Sequence, residues 1–188
     1  MTVRGHDDDG SELEATLTLG ATAAYRGGLG ELLGIAEGSA IRTGWIEVEA
    51  PEGYVASYIG YGNTVTPSFA LVAGAPEEDA SGLQVYSQVA EGAGFLTGVA
   101  LVNPGDETAT VEFYTVGPDG TTVGKTELTL ERGARLGRLY RGLLAASLQQ
   151  VGGWALVRSS APLVGVALFG GTNGFALASV PGQAIEAD

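Results

Sequence analysis

The chain has 188 residues, 45% of them hydrophobic, which is enough to bury a core in one or two domains. Only 16% are charged, yet acids outnumber bases 22 to 9, and the net charge of −13 argues against binding to nucleic acid or anionic lipid. There is no cysteine, which excludes disulfide frameworks, thiolate metal sites and cysteine nucleophiles.

Taken from the N-terminus, residues 1–7 hold no apolar core of a signal peptide, so the signal of an exported protein would lie upstream. Asp7-Asp8-Asp9-Gly10 reads as a hairpin turn, and Leu17-Thr18-Leu19 as the end of the strand after it. Tyr25, Leu29, Leu32 and Leu33 predict one or two helical turns in a glycine-rich stretch, and strands are expected at 43–49, 54–59 and 68–73. The stretch 74–82, Gly-Ala-Pro-Glu-Glu-Asp-Ala-Ser-Gly, has linker composition. Strands are expected next at 83–89 and 95–102. In 109–116, Val111 and Phe113 share one face, and Gly117-Pro118-Asp119-Gly120 turns the chain into a partner strand at 122–130. Leu136, Leu139, Tyr140, Leu143, Leu144 and Leu148 recur at helical spacing and predict a helix lined by Arg135, Arg138 and Arg141, stopped by Gly152-Gly153. Strands at 154–159, 163–169 and 175–180 complete the chain. No run of about 18 apolar residues is long enough to span a membrane.

The chain repeats itself. Gly44-Trp45, Ala50-Pro51 and Phe69-Ala70-Leu71 return as Gly153-Trp154, Ala161-Pro162 and Phe175-Ala176-Leu177. Leu17-Thr18-Leu19 and Leu32-Leu33 return as Leu128-Thr129-Leu130 and Leu143-Leu144, both 111 residues on. Such self-similarity predicts repeated structural units. The expected fold is all-β, with two related sandwich-like units of immunoglobulin-like size and a short helix in each. The units are 1–76, an incomplete first repeat, and 83–188, a complete second one, joined by a linker at 77–82. The first unit begins near its hairpin turn, where the second has two to three further strands, so it is expected to leave an unpaired edge and an uncovered apolar face.

Phe95-Leu96-Thr97-Gly98-Val99-Ala100-Leu101-Val102-Asn103-Pro104, the alternating strand to Val116, Asp119-Gly120, Leu128 to Leu130, Gly153-Trp154 and Phe175 to Leu177 carry a resemblance. The second unit resembles a module repeated in tandem in bacterial secreted and cell-surface proteins. The match covers about 83–182, and 10–76 in part. This resemblance implies a β-sandwich in an extracellular, non-catalytic setting and supplies no active site to carry over.

Candidate chemistry is sparse. His6 is the lone histidine and no Gly-x-Ser-x-Gly elbow surrounds a serine, so triad catalysis has no support and no enzyme is expected. Asp7, Asp9 and Glu12 could offer oxygens to Ca²⁺, but the Asp-x-Asp-x-Asp-Gly spacing of calcium loops is missing, and a solvated turn is the favoured reading. The glycine clusters at 27–30 and 170–174 lack the lysine of a phosphate loop and read as turns. Trp45 matches Trp154, and Tyr58 matches Phe169, so these are expected in the core. That leaves Tyr54 and Tyr61 as rings that could hold a sugar or an interface. Arg135, Arg138 and Arg141 form a basic stripe that could dock an acidic surface, such as Asp7–Asp9 or Glu77–Asp79 of a neighbouring copy.

The expected function is that of a structural or adhesive extracellular module, associating with itself in a homo-oligomer or filament by strand addition at the incomplete first unit. A carbohydrate-binding sandwich, with glycans as partners, is the alternative. No nucleic-acid partner, membrane insertion or cofactor is expected, Ca²⁺ being the one weak candidate.

Overall fold

The computed structural model describes residues 1–53, 55–62, 69–145, 147–174 and 177–185, without the side chain of Tyr61. The fold is all-β, and the chain divides into two compact units, Met1–Ser57 and Tyr58–Asp188. The division falls at 57/58 rather than in the 77–82 stretch. Its cause is a hairpin of the strands Tyr58–Gly62 and Phe69–Ala73, which packs with the C-terminal strands.

The first unit is a three-stranded antiparallel sheet. β1 (Thr2–Asp7) lies between β2 (Glu12–Thr16) and β3 (Gly44–Glu49). The turn closes with the Gly10 amide donating to the Asp7 carbonyl at 2.9 Å, and Gly10 takes the positive φ of 84° that the return requires. Strand alternation puts Val3 and Gly5 on one face with Leu13, Ala15, Ile46 and Val48. Leu33, just beyond the single turn α1 (Leu29–Leu32), lies against this face. A β-carbon on Gly5 would stand 2.9 Å from Leu33 Cδ1, so the glycine lets the leucine approach. Val3 and Leu33 are the only large apolar side chains fully buried among the described residues of this unit, so its core is thin.

The second unit opens with the hairpin of β4 (Tyr58–Gly62) and β5 (Phe69–Ala73). A 3₁₀ turn (Glu77–Asp79) then leads to β6 (Ser81–Tyr86), β7 (Ala90–Glu91) and β8 (Phe95–Val102). β9 (Ala109–Val116) and β10 (Thr122–Leu130) form the expected hairpin, succeeded by β11 (Arg135–Leu139) and the one-turn helix α2 (Tyr140–Leu143). β12 (Gln150–Val151), the long β13 (Trp154–Gly171), β14 (Leu177–Pro181) and β15 (Gln183–Ala184) complete it. The sequence pattern predicts two strands where β13 runs. It is one element of 18 residues whose ladder to β6 slips between Arg158 and Leu163, around Pro162, which has no amide proton to give.

The slip lets β13 serve two sheets. Its first half lies between β9 and β6 in the order β10-β9-β13-β6-β15; its second half lies between β8 and β14, with β11 beyond β8. Val99 and Leu101 of β8 meet Val111 and Phe113 of β9 in one core with Tyr86, Leu130, Tyr140, Val157 and Leu163. This is a β-sandwich. β5 lies alongside β14, and the Ser179 hydroxyl donates to the Leu71 carbonyl at 2.5 Å.

The helix expected from Leu136 to Leu148 is a correction. Arg135–Leu139 is a strand, paired with β8 from Gly98 to Val102, and only Tyr140–Leu143 is helical. β8 otherwise has an open edge at this point, and satisfying that ladder outweighs an apolar spacing that a short segment fits equally well by chance.

The pairing of β1, β2 and β3 coincides with that of β9, β10 and β13. His6 faces Glu12 and Trp45; Val116 faces Thr122 and Trp154. One step inward, Gly5 faces Leu13 and Ile46, while Thr115 faces Gly124 and Ala155, β10 having slipped past Val123. The hairpin β4–β5 is registered like β13 and β14: Gly60 lies opposite Leu71, and Gly170 opposite Leu177.

Candidate functional site: a charged face and open strand edges

The outward face of the first sheet is a ladder of charge. Arg4 on β1 reaches Glu14 of β2 at 3.1 Å and Glu47 and Glu49 of β3 at 3.3 and 2.9 Å. His6, next on the same face, has Nδ1 3.3 Å from Glu12 and Nε2 2.9 Å from Glu47. Its ring stacks on Trp45 with centroids 4.1 Å apart. Hydrogen bonds from Arg4 to Glu49 and Glu14 raise the guanidinium pKa above its ordinary value. Pairs across strands of this kind set register, and β1 supplies Arg4 to acids on both sides.

Trp45 therefore sits on the charged face with His6, not in the core where the repeat predicts it. Trp154, matched to it in sequence, is itself only partly buried. Both ring nitrogens of His6 face carboxylates, which leaves it in no serine–histidine pair among the described residues.

Asp7, Asp9 and Glu12 do not converge. Asp7 pairs with Arg42 and accepts from the Ser11 hydroxyl at 3.0 Å; Asp9 accepts from the Ser11 amide at 2.8 Å; Glu12 faces His6. The Ser11 amide holds the Asp9 carboxyl below the usual carboxylate range. Among the described residues, no three acidic or histidine side chains gather as a metal site would require.

The arginine stripe is also rearranged. Arg135 and Arg138 lie on the edge strand β11, three positions apart and so on opposite faces, and Arg138 Nη1 is 3.4 Å from the Gly137 carbonyl. Arg141 is paired within the chain. Its Nε donates to Glu91 Oε2 at 3.0 Å, while the Thr97 amide donates to Glu91 Oε1 at 2.7 Å. Glu91 is only 1% exposed, a buried acid that nothing in the Ala90-Glu91-Gly92 sequence marks out.

Of the two candidate sugar-facing rings, Tyr54 lies outside the described residues, and Tyr61 is placed only by its backbone in β4. Tyr58, expected in the core, is 68% exposed. Its face of the hairpin also carries Phe69 and Leu71, exposed by 62% and 55%. The ladder aligns Tyr58 with Leu168 rather than Phe169, and Leu168 is sheltered by β8 while no described strand lies beside β4.

Two edges are thus open where the second half of the chain is closed. β3 pairs only with β1 among the described residues, whereas β13 carries β6 on the corresponding edge. Among the described residues β4 pairs only with β5, whereas β13 carries β8 there. An unpaired edge presents free amide and carbonyl groups to any strand that can align with it.

No family model matches the chain, and no curated protein matches it. A solved structure titled for Thermotoga maritima 1070 is similar at 18% identity over 58% of this chain and 99% of that one, with a TM-score of 0.48, and carries no argument about function.

Proposed function

We propose that the chain is a non-catalytic structural or adhesive module of the cell surface or extracellular space, working by self-association through added strands at the first sheet. The observation that carries the reading is the open outer edge of β3 beside a register shared with β9 and β13, where β6 fills that edge. The shared register supports an internal repeat whose first copy lacks the filling strands. The thin core of Val3 and Leu33 supports it too, because β8 supplies Val99 and Leu101 to the corresponding face in the second unit. The extracellular setting rests on the likeness of the second unit to modules of secreted proteins.

Sedimentation over a concentration series at low and high salt tests this. A chain of net charge −13 repels its copies, so association through edges should strengthen as salt screens that repulsion. Docking of an acidic surface on arginines would weaken instead. A strictly monomeric chain at every concentration overturns the reading.

A further inference from the structure

Among the described residues, the free edges apart from that of β3 are guarded, with one exception; β5 and β14 lie alongside each other. The outer strands β2, β10 and β11 carry Glu12 and Glu14, Lys125 and Glu127, and Arg135 and Arg138, whereas Glu47 and Glu49 of β3 are each paired with Arg4. β7, β12 and β15 are two residues long. Charges and short length are the usual means of stopping edge-to-edge pairing. β4, Tyr58-Ile59-Gly60-Tyr61-Gly62, has neither defence, and no charged residue occurs from Gly53 to Pro76.

We infer that β4 is a self-docking edge, pairing antiparallel with β4 of a second copy about a two-fold axis at Gly60. The inference rests on the proposed self-association and names β4 as a second edge, besides that of β3, at which it occurs. Three observations favour a second copy over another partner. The first is charge: copies that each carry −13 meet here without bringing like charges together. The second is size complementarity. With the axis at Gly60, Tyr58 of each copy lies opposite Gly62 of the other, a large residue against a gap. The third is a precedent inside the chain. On the corresponding edge of β13, Leu168, which the ladder aligns with Tyr58, lies opposite Gly98 of β8.

The position of the axis is set by Phe69. A β-carbon on Gly60 would stand 2.6 Å from Phe69 Cζ, so that ring already covers Gly60 on the Tyr58 face. The incoming tyrosine is therefore directed past Gly60 to Gly62, which is itself exposed. Main-chain hydrogen bonds along β4 supply the affinity, and the apolar face of Tyr58, Phe69 and Leu71 extends across the joint.

The test uses the full chain, in which any introduced cysteine is the sole cysteine type present. Tyr58→Lys, at an exposed position, should weaken self-association at least about tenfold in sedimentation without altering the circular dichroism spectrum. A mixture of Tyr58→Cys and Gly62→Cys chains should form crosslinked pairs under mild oxidation in preference to either chain alone. If the wild type associates and Tyr58→Lys associates equally, or the crosslink does not form, β4 is not the joint, while strand addition at β3 still stands. If the wild type remains monomeric, the inference fails together with the reading beneath it.

Discussion

Arg141 Nε donates to Glu91 Oε2 at 3.0 Å, tying α2 to β7 across 50 residues of sequence. Glu91 is buried, with Thr97 holding its other oxygen, so removing the arginine strands a carboxylate away from water. Arg141→Ala should cost about 3 kcal/mol, near the lower end for a broken buried pair because the arginine side chain is itself 39% exposed. In the Glu91→Gln background the same change should cost much less, since glutamine carries no charge and its carbonyl can still accept from Thr97. Urea denaturation of the four proteins of this cycle measures the coupling. Equal costs in the two backgrounds would mean the pair is not what holds α2.

Tyr86 and Tyr140 set the alkaline limit of the second unit. Burial pushes both phenols above the ordinary value of 10.0. The native chain therefore keeps its protons at pH values where the unfolded chain releases them. The stability from keeping these phenols neutral is complete below pH 10 and declines as pH rises above it. Each Tyr→Phe variant should show a shallower loss of stability between about pH 9 and 11 than the wild type. At neutral pH the two should part: Tyr86→Phe leaves Gln84 Oε1 without its 2.8 Å donor and should cost about 1–2 kcal/mol, whereas the Tyr140 hydroxyl has no hydrogen-bond partner among the described residues and its loss should be nearly neutral.

Gly165 explains how a residue as large as Tyr86 fits between the sheets. A β-carbon there would overlap the Tyr86 hydroxyl and stand 2.7 Å from Leu101 Cδ2. Gly165→Ala should destabilise by about 1–3 kcal/mol through overpacking, and pairing it with Tyr86→Phe should recover part of that loss. Thermal unfolding of the three variants checks it; an additive double variant would show that the contact is not the cause.

These elements show what sequence can and cannot convey. The hairpin of β9 and β10 is legible because Val111 and Phe113 alternate and Gly117-Pro118-Asp119-Gly120 has only one good use. The matched sequence positions are legible too, and the one-residue slip past Val123 falls between them. The strand β11 is not, because Leu136 and Leu139 satisfy a helical spacing and the edge that captures them lies in β8, far away in sequence. Glu91 and the outward side of Trp45 escape for a related reason: burial and facing are set by partners that local pattern does not contain. Tyr58 misleads because Leu168, aligned with it by the ladders, has β8 beside it while Tyr58 is bare.

The thin first core leads to a further expectation. Leu33→Ala removes one of two large apolar side chains fully buried among the described residues of the first unit and should cost about 2–4 kcal/mol, enough to open that sheet before the second unit melts. Calorimetry should then resolve two transitions. A single transition at a lower temperature would mean that the units unfold together.

Strand addition is tested most directly by hydrogen–deuterium exchange at the amides of Gly44–Glu49 and Tyr58–Gly62 that bond neither β1 nor β5, monitored as protein concentration rises. Growing protection of these outward amides, with those of β9 unchanged, is the predicted result. Exchange at both edges that stays fast while the protein associates would contradict it.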